Sequence, residues 1–283
     1  MSDQRSGGPF PIAALLRRHD RDRYQTVLFA PAARRAALFA LYAFNYEIAR
    51  VREMVTQPTL GRIRLEWWCE NVAAAYQGGP VRRHPVAEAL AAAIRERSLT
   101  RAYFDRLLDA READFAEDPP ATLDALENYA EGTTAPLVLL ALEILGVTEP
   151  GAAAAGREVA IAFALAGLLR ALPLLSARGR RVIPANLPLC AGLNPDEQLR
   201  SSPALCTAVT KIAAVAGGHL QRARGHRRSV PPAALPALLC AVIAEQSLRR
   251  LQQVGYDPFA AEIARPDPLQ IWRLAAAALR RRF

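Results

Sequence analysis

The chain has 283 residues, 52% apolar, 22% charged and 7% aromatic, which is ample for a buried core and excludes a disordered or collagen-like chain. Alanine is the commonest residue and β-branched residues are sparse, a mixture that favours helix and excludes an all-β protein. Thirty-six basic against twenty-seven acidic side chains leave +9, carried by arginine except at Lys211; this suits an anionic partner and equally the codon bias of a GC-rich genome, so charge alone assigns nothing.

Residues 1–8 are polar and lack the apolar core of a secretory signal, and 1–9 are expected to be disordered. Helical periodicity starts near residue 10. Pro31 opens a segment to about residue 54 in which Leu38, Leu41, Tyr42, Ile48 and Val51 recur at helical spacing. The segment 59–76 closes at Gly78-Gly79-Pro80, and 85–97 and 100–115 follow, the latter ended by Pro119-Pro120. Segments 123–145 and 152–176 are apolar nearly all round, as in helices central to a bundle, with Pro136 and Pro173 favouring kinks. Residues 178–200 read as one long loop, and helices resume over 203–226, 233–254 and 268–282. No composition break divides the chain, so the reading is one all-α domain over 10–283. The longest uncharged run, 229–244, has 16 residues with three prolines, short of the ~18 that suggest a membrane span. The expectation is a cytoplasmic protein, at most peripheral on the inner membrane.

Cys69, Cys190, Cys206 and Cys240 are widely spaced and the histidines do not sit at ligand spacing, which argues against a disulfide framework or a zinc site. D-x-x-x-D occurs as Asp105 with Asp109 and as Asp114 with Asp118; a solvated acidic face is the expectation for both. Trp67, Trp68 and Trp272 read as core or helix-packing aromatics. Trp67 and Trp68 cannot face one way, so one of them should meet a partner, a membrane interface or the bundle's rim. The basic cluster Arg222, Arg224, Arg227 and Arg228 ends one helix and Arg280 to Arg282 ends the last, where the macrodipole favours cations. The alternative role of the first cluster is contact with an anionic membrane surface. Nucleic acid is not an expected partner, since no binding module is recognisable.

The strings Leu41-Tyr42-Ala43-Phe44, Arg64-Leu65-Glu66-Trp67-Trp68, His84-Pro85-Val86, and Leu169-Arg170 followed by Gly179-Arg180-Arg181-Val182-Ile183-Pro184 resemble the squalene/phytoene synthase family, in order and spacing from about Asp20 to the C-terminus. The resemblance implies an isoprenoid-synthase-type helical bundle around a central cavity. It further implies two D-x-x-x-D motifs on facing helices, which in the enzymes hold Mg²⁺ while two allylic diphosphates are joined head to head. Carried onto this chain, the first motif falls at Ala49, Arg50 and Glu53 and the second at Ala171 and Leu175, so only Glu53 keeps a carboxylate. Glu47 lies six residues before Glu53, about 120° round an ideal helix, and cannot chelate with it as an i, i+4 pair does. Glu47, Arg50 and Glu53 are expected to pair with one another instead. Arg50 and Arg170 would repel a magnesium ion and admit an anion. With Tyr42, Glu47, Glu53 and Tyr129 they are the candidate cavity or anion-binding residues. Asp114 corresponds to an aspartate that many enzymes of the family carry.

Phe44-Asn45-x-Glu47-x-Ala49, Tyr129-Ala130-Glu131, Leu142-Glu143-Ile144-Leu145-Gly146, Leu169-Arg170-Ala171-x-Pro173 and His219-Leu220-x-x-Ala223-Arg224 before Val230-Pro231 are similar to one branch of that family, the branch of the mitochondrial respiratory complex I assembly factor. That branch has also lost the magnesium-binding aspartates. The resemblance implies a pseudoenzyme without cofactor that helps to assemble NADH:ubiquinone oxidoreductase (complex I), its partner a complex I subunit or assembly intermediate. An isoprenoid or lipid ligand retained without chemistry is a further expectation. The enzyme alternative is a working prenyltransferase of the squalene, hydroxysqualene or phytoene type, which would need Mg²⁺. The paired acidic motifs discriminate between them.

Overall fold

A computed structural model describes residues 9–55, 57–187 and 199–283, with side chains from Ile12 onward. Among the described residues the chain forms fourteen α-helices and no strand. They are α1 (Pro9–His19), α2 (Arg21–Val27), α3 (Ala32–Ala49), α4 (Val51–Met54), α5 (Pro58–Tyr76), α6 (Pro85–Arg97) and α7 (Arg101–Arg111), then α8 (Leu123–Leu145), α9 (Pro150–Ala177), α10 (Pro203–Gly225), α11 (Leu235–Leu238), α12 (Cys240–Gln253), α13 (Ala261–Ala264) and α14 (Gln270–Leu279).

Local chemistry sets the boundaries. Thr122 and Ser202 cap α8 and α10 by accepting from the amides of Ala125 and Leu205, and prolines open α5, α6, α9 and α10, where a missing N–H costs nothing. α8 stops at Gly146, whose φ of 76° only glycine adopts freely; the Gly146 and Val147 amides satisfy the carbonyls of Glu143 and Leu142. Three expected helices are broken, the segment 100–115 giving way after Arg111 to a 3₁₀ turn over Glu112–Phe115. The segment 31–54 divides at Arg50 into α3 and α4, and the apolar period that runs on through Val51 conceals the break. The segment 233–254 divides into the 3₁₀ turn Pro232–Ala234, α11 and α12, with the last break at Leu239. The four-residue α13 has too short a period to be read from sequence. α9 continues unbroken through Pro173 and α8 through Pro136. The described parts of the expected loop, 178–187 and 199–200, hold no helix; Cys190 and the rest of that loop lie outside the described residues. So do residues 1–8 of the expected disordered terminus, while Pro9 already belongs to α1.

α9 is the central element, packed against α8, α10 and α12. By length and composition it could cross a membrane, yet 61% of its most apolar window is buried inside the bundle, as in a core helix. Apolar residues of α3, α6, α7, α8 and the first half of α9 make one core cluster. A second forms between α8, the second half of α9, Val182–Ile183 and α10. His219 of α10 lies between the central helices: its Nδ1 is hydrogen-bonded to Glu158 of α9 at 2.7 Å, and its Nε2 stands 3.0 Å from Glu127 of α8.

Candidate functional site

The two helices that carry the motif positions do not present facing carboxylates. On α3, Ala49 and Arg50 are half-buried. The Arg50 guanidinium reaches Glu47 at 3.5 Å and the Tyr46 hydroxyl at 3.3 Å, and its Nε lies 3.0 Å from the Met54 sulfur. Glu53 is not paired with Arg50, contrary to the expectation from the i+3 steps. It reaches across to the end of α9 and pairs with Arg178 at 2.6 Å. The break at Arg50 is the reason: α4 starts a new helix, so Glu53 no longer follows the α3 stripe. Glu47 instead lines a groove of about 290 Å³ between α3, α4 and α5, together with Met54, Ile63, Trp67 and His84. The two glutamates therefore serve different surfaces. On α9, Ala171 and the buried Leu175 belong to the second apolar core.

Arg170 lies on the wall of another pocket, of about 380 Å³, between α2, α9, α12 and α14. Five arginines and three aspartates line it, and the pairs among them absorb much of that charge. Asp22 accepts from Arg170 at 2.7 Å and from the Gln270 amide at 2.8 Å, so one carboxylate ties α2, α9 and α14. Burial alone would raise the Asp22 pKa, but the charge of Arg170 and these bonds hold it below the usual carboxylate range. One residue along, Arg23 is stacked over Tyr42 and Phe163 at 5.8 and 5.0 Å and paired with Asp20 at 2.8 Å. It wedges α2 between α3 and α9 at the level of Tyr42, which is buried, and burial drives the phenol pKa up. The alternation of charge through His19-Asp20-Arg21-Asp22-Arg23 is the sequence signal for this network, which lies outside every family motif.

Tyr129 belongs to a third group. Asp114, only 4% exposed, accepts from the Tyr129 hydroxyl at 2.6 Å, from Arg111 at 3.3 Å, and from Arg180. Arg111 also donates to the Asn45 side-chain Oδ1 at 3.3 Å, and Arg180 donates to the Tyr129 oxygen at 2.9 Å. Burial, then the Asp114 charge, pushes the Tyr129 pKa up, which keeps the phenol a donor. Asp114 is thus no part of a solvated acidic face. Its sequence partner Asp118 is exposed, so those two carboxylates point to different environments, whereas Asp105 and Asp109 both lie on the exposed face of α7 as expected.

Among the described residues, no group of three or more His, Cys, Asp or Glu side chains could hold a metal ion. At the motif positions themselves the donor set is wrong for Mg²⁺, which needs several oxygen ligands: two alanines, an arginine, a leucine and one glutamate already paired with an arginine. The residues present do not fit the ion.

The other candidates are distributed as follows. Arg222 and Arg224 are paired with Glu158 and Glu245 at 2.8 and 3.0 Å, and Arg227 donates to the Arg281 carbonyl at 3.4 Å, while all three stay exposed. Arg228 is exposed. Trp68 is buried and Trp67 half-buried, packed edge-on with His84 at the groove. Trp272, expected to pack inward, is 71% exposed. Cys69, Cys206 and Cys240 are free thiols.

The model of the squalene/phytoene synthase family matches residues 16–279. NADH dehydrogenase (ubiquinone) complex I, assembly factor 6, of Bos taurus is 34% identical over 271 residues, covering 95% of this chain and 81% of that protein. Its Homo sapiens counterpart is 32% identical over 268 residues, covering 92% and 80%. Among solved structures, squalene synthase HpnC from Alicyclobacillus acidocaldarius superposes with a TM-score of 0.76 at 22% identity, over 89% of this chain and 96% of that one. A dehydrosqualene synthase in complex with ligand gives 0.79 at 16% identity, over 96% and 95%. At those identities the likeness establishes the fold, the helical isoprenoid synthase bundle.

Proposed function

The chain belongs to the squalene/phytoene synthase family, and from that premise we propose that it is an assembly or scaffolding factor for respiratory complex I that has given up metal-dependent prenyl transfer. The observation that carries this reading is the residue set at the positions the resemblance assigns to the two motifs, Ala49, Arg50, Ala171 and Leu175, with Glu53 paired to Arg178. An allylic diphosphate ionises only if its leaving charge is stabilised, and metal ions supply the main electrostatic contribution to that step. Arg50 and Arg170 offer fixed cations, but Glu47 and Asp22 already engage them. The assembly-factor names of the relatives at 34% and 32% identity support the same direction.

The partner in this reading is a complex I subunit or assembly intermediate, met on the cytoplasmic side of the inner membrane, and the protein needs no cofactor. The test is a deletion strain. Assembled NADH:ubiquinone oxidoreductase should fall while squalene and carotenoid content stays unchanged. Unchanged complex I, or a loss of isoprenoid product that precedes its decline, would restore the prenyltransferase alternative.

A further inference from the structure

We propose that the exposed face of α14 seats the protein on an anionic lipid bilayer. Leu269, Trp272, Ala276 and Leu279 follow one another at +3, +4 and +3, an arc of about 80° on an ideal helix. The three large members of this arc are 52%, 71% and 87% exposed, whereas Leu274 on the opposite side is fully buried and anchors the helix to the bundle. An apolar stripe with an aromatic at its centre, turned outward on a helix held firmly from behind, is the form of an interfacial membrane contact.

The surrounding charge identifies the occupant. Residues 268–283 contain four arginines and no acidic side chain. Arg273 and Arg280 fall within about 40° of the apolar arc, and Arg281 and Arg282 follow directly. Arg280, Arg281 and Arg282 make no ion pair among the described residues, and neither does the nearby Arg265. The chain end is tied back against α10, since Arg224 donates to the Phe283 carbonyl and Arg227 to that of Arg281, each at 3.4 Å. Those bonds fix the arginine run beside the apolar stripe. Arg273 is paired with Asp267 at 3.3 Å, which leaves Arg280, Arg281 and Arg282 as the free cations beside the Trp/Leu/Ala face, and these complement phosphate head groups over an acyl boundary. This surface is distinct from the cluster Arg222, Arg224, Arg227 and Arg228, and it does not depend on the assembly reading.

The test uses the full chain with vesicles of phosphatidylcholine alone or mixed with phosphatidylglycerol. Wild type should sediment with the mixed vesicles and release them as salt rises, and brominated lipid should quench its tryptophan emission. Trp272→Ala with Leu279→Ala should lower the partition coefficient by roughly a hundredfold. Arg280, Arg281 and Arg282 all changed to glutamine should lower it by about ten- to a hundredfold and flatten the salt dependence. The altered side chains are exposed, so far-UV circular dichroism should be unchanged in both variants. Equal binding by wild type and variants, or no preference for the anionic vesicles, would overturn the proposal. So would a Trp272-dependent dimer that ignores vesicles, because the face would then belong to a second copy.

Discussion

Asp114 is the carboxylate whose removal should be felt most. It is 4% exposed and accepts from Arg111, Arg180 and Tyr129, so Asp114→Ala leaves Arg111 buried with only the Asn45 oxygen as a partner. Breaking a buried pair by deleting one member costs ~3–5 kcal/mol, because the surviving charge is left uncompensated. With an unfolding entropy of ~2.1 cal/mol/K per residue, the 283 residues give ~0.6 kcal/mol/K, so Tm should fall by about 5–8 °C. Differential scanning calorimetry at pH 7 measures this directly. Removing Arg180 as well should cost less than the sum of the two single changes, since the Asp114–Arg180 pair can be lost only once. A Tm shift under about 2 °C for Asp114→Ala, or strict additivity with Arg180→Ala, would refute the reasoning and return Asp114 to the solvated face.

Gly61 stands where a built Cβ would come within 2.0 Å of the buried Phe115 ring, so Gly61→Ala should destabilise by ~1–3 kcal/mol in urea unfolding despite its better helix propensity. Asp22 has a lowered pKa in the folded protein, so its charged form contributes stability that is present above its unfolded value of about 3.9 and is lost as pH falls through the lower folded value. The stability gap between wild type and Asp22→Asn should therefore be constant from about pH 5 to 8 and close in more acid solution; a gap that widens below pH 4 would contradict this. The Cys240 thiol is buried and pushed up to about 12, so iodoacetamide at pH 8 should modify it only after unfolding, as peptide mass mapping would reveal.

What could be read from sequence was local. The helices 85–97 and 123–145 were legible to the residue, because Pro85 and Gly146 mark their ends by backbone chemistry. That Ala49 and Ala171 carry no carboxylate is read from the sequence itself, while their place in the motifs rests on the resemblance. The partners of the surviving charges were not. Arg170 and Asp22 are 148 residues apart, and no periodicity connects them. Glu53 lost its expected neighbour because the helix breaks at Arg50 without a glycine or proline to announce it. Asp114 looked solvated because the spacing to Asp118 suggested one helix face, whereas a 3₁₀ turn over Glu112–Phe115 turns the carboxylate inward. Trp272 reads as packing in any amphipathic pattern; only the tertiary position of α14 turns it outward.

The central claim is that this member of the family works without a magnesium site, and one measurement meets it most directly. In the deletion strain, a complementing copy carrying Glu47→Gln and Glu53→Gln removes both carboxylates that could serve as surrogate ligands near the first motif position. Their partners Arg50 and Arg178 are about a third to half exposed, so each lost pair should cost no more than ~1 kcal/mol and the protein should accumulate normally. Complex I activity in the membranes should return to the level given by the wild-type copy. Normal accumulation of the variant with complex I still at the deletion level would contradict the account, because carboxylate chemistry at these positions would then be required.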